Sequence, residues 1–80
     1  MVDEDILRHI GRLVDEERAL EESHPGEGLS PDERERLHEI QVSLDQCWDL
    51  LRQREARRHA GLDPDKAQLR PEGVVEHYQQ

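Results

Sequence analysis

One thiol, five imidazoles and a surplus of carboxylates are the groups in this sequence able to do chemistry. The thiol, Cys47, stands beside the single tryptophan, Trp48, in the stretch Leu44–Arg54, LDQCWDLLRQR. A nucleophilic or redox thiol needs a base or a helix N-terminus to lower its pKa, together with access to solvent. Cys47 has Asp45 and Asp49 as near neighbours instead. Their charge raises a thiol pKa, and the surrounding periodicity places Cys47 in the middle of a helix. Free cysteine is among the most buried residue types, so Cys47 is read as core. Trp48 is read as an interface or tail anchor, in keeping with the concentration of aromatic residues at binding hot spots.

The imidazoles and carboxylates raise metal chemistry. Glu35 and His38 have the Glu-x-x-His spacing of carboxylate-bridged metal bundles, whose ligands must point inward. If Leu37 points inward, His38 faces water. His9 is expected to be a boundary residue near Trp48. Asp63 and Asp65 resemble the first two ligands of a calcium loop, but Ala67, Gln68 and Val74 stand where a third ligand, a turn glycine and a bidentate glutamate are required. The sequence has no glycine-rich phosphate loop, nucleophile elbow or zinc-type cysteine spacing. No catalytic, cofactor or metal residue is therefore assigned, and a non-enzymatic protein is expected.

These residues must be positioned by a chain of only 80 residues, 32% hydrophobic and 39% charged, with one Tyr and no Phe. Small chains bury a smaller fraction of their surface, and association with a second copy eases the shortage of core. The formal charge of −9 argues against nucleic acid, whose phosphates call for clustered cations. A single cysteine forms no internal disulfide, the start Met1–Asp5 is acidic, and no run approaches a membrane span. A cytoplasmic protein is the expectation.

Low hydrophobicity and high charge also favour disorder, but helical periodicity over residues 3–60 argues for folding. The first predicted helix covers about 3–22, with apolar spacings of three and four and Asp3 as its cap. The Pro/Gly-containing segment 23–30 is a loop. Ser30-Pro31-Asp32-Glu33 reads as a capping box with proline at the first helical position, opening a second helix over about 31–60. Gly61 is a left-handed cap after the basic turn Arg57-Arg58-His59. Residues 1–61 thus form a hairpin. Residues 62–80 form a tail with short helical turns, the first opened by Asp63-Pro64-Asp65, and with an apolar patch of Leu69, Val74, Val75 and Tyr78.

A heptad register fits both helices. Ile6, Leu13 and Leu20 take position d and Ile10 and Glu17 take a in the first helix, Glu17 falling opposite Ile40. In the second, Leu37, Leu44 and Leu51 take a, while Ile40 and Cys47 take d. Folding at the loop pairs Leu20 with Leu37, Leu13 with Leu44, Ile10 with Cys47 and Ile6 with Leu51, an antiparallel coiled-coil-like seam. Asp3 then falls opposite Arg54, and His24 opposite Glu33. The cluster Arg52, Arg54, Arg57 and Arg58 is read as local pairing with Asp3, Glu4 and Asp5 on a solvated surface, where such pairs contribute roughly 0 to 1 kcal/mol each.

Leu7 and Val14 at e, together with Leu50 at g, are expected to flank one side of the seam, with Trp48 at e flanking the other. The tail is expected to cover one flank and a second copy the other, giving a homodimeric four-helix bundle. Leu7, Val14, Trp48 and Leu50 are the expected contact residues.

The stretch LDQCWDLLRQREARRHAGLDPDKAQLRPEGVVEHY, with LSPDERERLHEIQVSLDQ before it and ILRHIGRLVDEE near the start, resembles a family of short bacterial proteins known as domain of unknown function 2630. The most specific features are QCWDLLRQR followed by Gly61, Asp63-Pro64 and Arg70-Pro71. The resemblance implies no activity, but it implies that the tail through Tyr78 belongs to the folded unit. The expected function is a cytosolic adaptor or regulator acting through protein contacts, with an unidentified protein partner. The alternative is a small-ligand or metal-binding bundle built on His9 and nearby carboxylates.

Overall fold

The structure, a computed structural model, describes residues 2–23 and 28–71. Helix α1 runs over Asp3–Glu22 and helix α2 over Pro31–His59, with a short 3-10 turn at Pro64–Lys66. The two helices pack against each other as an antiparallel hairpin, and no strand occurs among the described residues.

Local chemistry accounts for the limits of α2. Ser30 Oγ accepts the Glu33 N–H at 3.2 Å, and Glu33 Oε1 accepts the Ser30 N–H at 2.9 Å, so two amides left over at the helix start are satisfied reciprocally. At the far end Gly61 adopts φ 75°, and the Leu62 N–H returns to Arg57 O at 2.7 Å. That left-handed turn is natural to glycine and ends the helix. Asp63 caps the 3-10 turn, its carboxylate accepting the Asp65 N–H at 2.9 Å.

The start of α1 departs from expectation. Asp3 is not the cap; Val2 occupies that position without a side-chain bond, and the Asp5 carboxylate accepts the Val2 N–H at 3.4 Å. Asp3 lies in the first turn, where its two oxygens accept from Arg54 at 2.6 Å and Arg58 at 2.7 Å. Charge-assisted bonds to guanidinium are stronger than a neutral amide contact, which is why the carboxylate turns toward α2.

The core is the seam. Ile6, Ile10 and Leu13 of α1 pack with Ile40, Leu44, Cys47 and Leu50 of α2 as one buried cluster, with Ile6 and Ile40 the most enclosed. Leu20 and Leu37, in the layer nearest the loop, are only half-buried, as is Leu51, which lines an open groove on one side of the seam.

The assignment of the flanks needs correction. In an antiparallel helix pair, g faces g and e faces e, whereas the expectation had set Leu7 and Val14 at e on the side of Leu50 at g. The structure shows the antiparallel rule directly. Glu16 and Arg36, both at g, form a cross-helix pair with two bonds at 2.6 and 2.7 Å. Leu7 lines the same concavity as Trp48. His9 lies on the other side, with Ser43, Cys47 and Leu50, and not near Trp48.

The tail turns back along the g side. Moving from Arg57 toward Gln46 on α2, successive side chains grip successive tail groups. Arg57 donates to Asp63 O at 2.7 Å, Arg54 to Pro64 O at 3.1 Å, Gln53 to Gln68 O at 2.8 Å and Gln46 to Arg70 O at 3.1 Å. Ala67 packs on the core from this strap. Leu50, expected as an exposed contact, is instead buried at 8% exposure. Val74, Val75, Tyr78 and His24, with the contacts expected of them, lie outside the described residues.

Two substitutions separate core from cap. Ile40→Ala removes a fully buried side chain and is expected to cost about 2–5 kcal/mol, whereas Ser30→Ala is expected to cost about 1 kcal/mol. Urea unfolding followed by helical circular dichroism measures both. Equal losses would contradict the assignment of Ile40 to the centre of the seam.

Candidate functional site

The strap leaves the e side of the hairpin without cover from any described residue. Here Leu7 of α1 and Trp48 and Leu51 of α2 line an open groove of about 470 Å³, rimmed by Asp3, Arg52, Glu55 and Arg58. Leu7 is 49% exposed, and Trp48 is half-buried with one side against the core. Val14 continues the apolar strip on α1 and also packs partly on the core. Of the four expected contact residues, Leu7, Val14 and Trp48 thus share one side, and Leu50 lies under the strap.

The groove ends against a charged layer. The d positions of α2 continue from Ile40 and Cys47 to Arg54, so this arginine occupies the seam itself, with its side chain only 7% exposed. It donates from Nε to Asp3 at 2.6 Å and from Nη1 to Asp65 at 3.0 Å and Pro64 O at 3.1 Å. The Arg58 and Arg54 guanidinium groups hold the Asp3 carboxyl below the usual carboxylate range. The bidentate contact from Arg36 lowers Glu16 in the same sense. The expected pairing of Arg54 and Arg58 with Asp3 is present, but Arg54 is buried and does not lie on a solvated surface. The spacing of seven from Ile40 through Cys47 to Arg54 was the available signal that one of them enters the seam.

A second buried charge carried no such signal. Asp49 at heptad position f, normally the outermost, is 3% exposed because the strap crosses over it. It accepts from Gln53 at 2.8 Å and pairs with Arg70 at 3.3 Å. Among the described residues every buried side-chain polar atom has a partner. The polar contacts between α2 and strap are therefore complete, as burial demands.

Beneath the strap lies a smaller hollow of about 210 Å³, lined by Ile6, His9, Ser43, Cys47, Leu50 and Leu69 among others. Cys47 reaches it from the seam, and burial pushes the thiol pKa up. A raised pKa disfavours the thiolate, the reactive form. His9 is exposed and sits 3.4 Å from an Arg12 nitrogen. No three His, Cys, Asp or Glu side chains among the described residues are grouped to hold a metal ion. None of the described helices is long and apolar enough to cross a membrane.

Comparison with known proteins adds kinship. The family model described as "Protein of unknown function (DUF2630)" matches residues 2–80. Rv0898c of Mycobacterium tuberculosis H37Rv and Mb0922c of Mycobacterium bovis, both described as uncharacterized, are each 48% identical to this chain over 77 residues. Those alignments cover 95% of this chain and 88% of each relative. No solved structure matches.

The charged layer has a consequence for acid stability. Asp3 and Glu16 have folded-state pKa values below their unfolded ones. Their contribution is therefore complete above the unfolded value of about 4 and is lost as pH falls through the folded values. Thermal midpoints should be insensitive to these groups between pH 7 and 5 and fall below about pH 4. In Asp3→Asn the midpoint should be lower at pH 7 and the acid limb shallower; an acid limb identical to that of the parent chain would contradict the pairing.

Proposed function

The chain belongs to the DUF2630 family, and we propose that it is a non-enzymatic, cytosolic helical interaction module whose working surface is the Leu7–Val14–Trp48 face and whose first partner is a second copy of itself. The carrying observation is the asymmetry of the hairpin. On the g side the strap covers α2 from Arg57 to Gln46, while the e side presents Leu7 and Trp48 in a groove of about 470 Å³.

The scarcity of core supports a second copy as occupant. Seven buried apolar residues form the described core, a modest number for holding two helices of 20 and 29 residues. Two helices alone leave one side of each apolar stripe wet, and small domains commonly complete their core by association. The buried, high-pKa thiol gives the protein no ready nucleophile at Cys47. Contact then remains the function to which this surface is best suited. The single cysteine, free and buried, supports a cytosolic setting.

Light scattering coupled to size exclusion should give twice the chain mass at micromolar concentration. Trp48→Ala and Leu7→Glu should raise the dissociation constant at least about tenfold, the equivalent of 1.4 kcal/mol. Leu50→Ala should chiefly lower folding stability. A folded monomer at these concentrations overturns the reading. So does a monomer in which deletion of residues 72–80 shifts Trp48 emission to that of exposed indole, since the chain's own end would then be the occupant.

A further inference from the structure

The formal charge of the chain is unevenly spread along the hairpin. Residues 15–39, which surround the loop end, carry ten carboxylates against three arginines, a net −7. Residues 1–14 and 43–71, which form the opposite end and the strap, carry eight carboxylates against eight cations, a net charge of zero. The negative charge is thus concentrated at the loop end, while the groove lies toward the neutral, arginine-rich end.

A second copy stacks on the groove in one of two ways about a two-fold axis. With the axis along the helices, both loop ends fall at the same end of the bundle and two regions of −7 lie side by side. With the axis across the helices, each loop end meets the other copy's arginine-rich end, and α1 lies along α1 of the second copy while α2 lies along α2. We infer that the Trp48 face receives the second copy in this inverted orientation, an inference that rests on the self-association proposed above.

The local pattern on α1 has the symmetry such an axis requires. Gly11 shares the face with Leu7 and Val14, at b of the same register, and a Cβ placed on it would meet nothing within 4 Å. Within a single chain a larger residue would fit there, and glycine in an exposed helix interior costs roughly 0.5–1 kcal/mol relative to alanine. A second helix crossing closely at this point gives the small residue a use. Glu4 and Arg18 stand seven positions to either side of Gly11, so an inverted copy centred there sets Glu4 of each chain against Arg18 of the other. In the heptad register Gly11 and Trp48 lie within one helical turn of each other along the hairpin, so a single axis serves both.

Spin labels at Asp32→Cys, in a Cys47→Ala background, measure the orientation. About fifteen residues separate Asp32 from the axis at 1.5 Å each, so the inverted dimer puts the labels about 45 Å apart, whereas the loops-together dimer puts them within about 20 Å. Gly11→Leu in the otherwise unchanged chain is the second measurement. It should keep or raise helix content and thermal midpoint at low concentration while weakening the dimer at least tenfold. A dimer with the short label distance, or one indifferent to Gly11→Leu, overturns the inverted orientation and leaves self-association standing. Finding only monomer overturns both.

Discussion

The buried guanidinium of Arg54 is the constraint on which the rest of the hairpin depends. It occupies a seam position that an aliphatic residue would normally fill, with its side chain 7% exposed. A guanidinium drawn into a seam must be paired and its donors satisfied. Asp3 from the start of α1, Asp65 from the 3-10 turn and the Pro64 carbonyl supply those partners. One side chain therefore fixes where α1 begins on α2 and where the chain must return after Gly61. An apolar residue at position 54 would remove that instruction for the strap even if the two helices still packed.

The strap follows from the same economy of apolar material. Its hold on α2 is mostly polar, through Gln46, Gln53, Arg54 and Arg57 reaching main-chain oxygens, with Ala67 supplying the packing against the core. Leu69 remains 56% exposed although it lies over the hollow. A segment held this way covers α2 from Gln46 to Arg57 without consuming the few large hydrophobic residues available. Leu7, Val14 and Trp48 are left to the e side, while Val2, Leu62 and Leu69 are exposed elsewhere. The asymmetry between the strapped and open sides is thus a consequence of where a polar strap is able to attach.

How much of this was legible depended on whether the signal lay within one helix or between segments. The capping box at Ser30, the glycine turn at Gly61 and the seam from Ile6 to Leu51 depend on spacings of three, four and seven, and these read directly from the sequence. The opposition of Asp3 and Arg54 was legible for the same reason, although the assignment of Asp3 as a cap obscured its consequence. The flanks were misread because the pairing of e with g belongs to parallel coiled coils. That the tail covers one flank was legible, but that this flank holds Leu50 and that Asp49 is buried with it was not. Both depend on the strap, whose grip comes from main-chain carbonyls, and these are present at every residue and carry no sequence mark.

Cys47 and Trp48 show how this division bears on function. They are adjacent in sequence and point into different environments. Cys47 sits in the seam, where burial raises its pKa and suppresses the thiolate. Trp48 rests one side on the core and turns the other to the groove. Chemistry at the thiol requires a charged, accessible sulfur, and the packing that stabilises the seam works against both. Recognition at the indole requires an anchored ring with a free side, and the same packing supplies the anchor. In a chain with so little core, the interactions that fold it are also those that anchor Trp48 and leave one side of its ring in the groove.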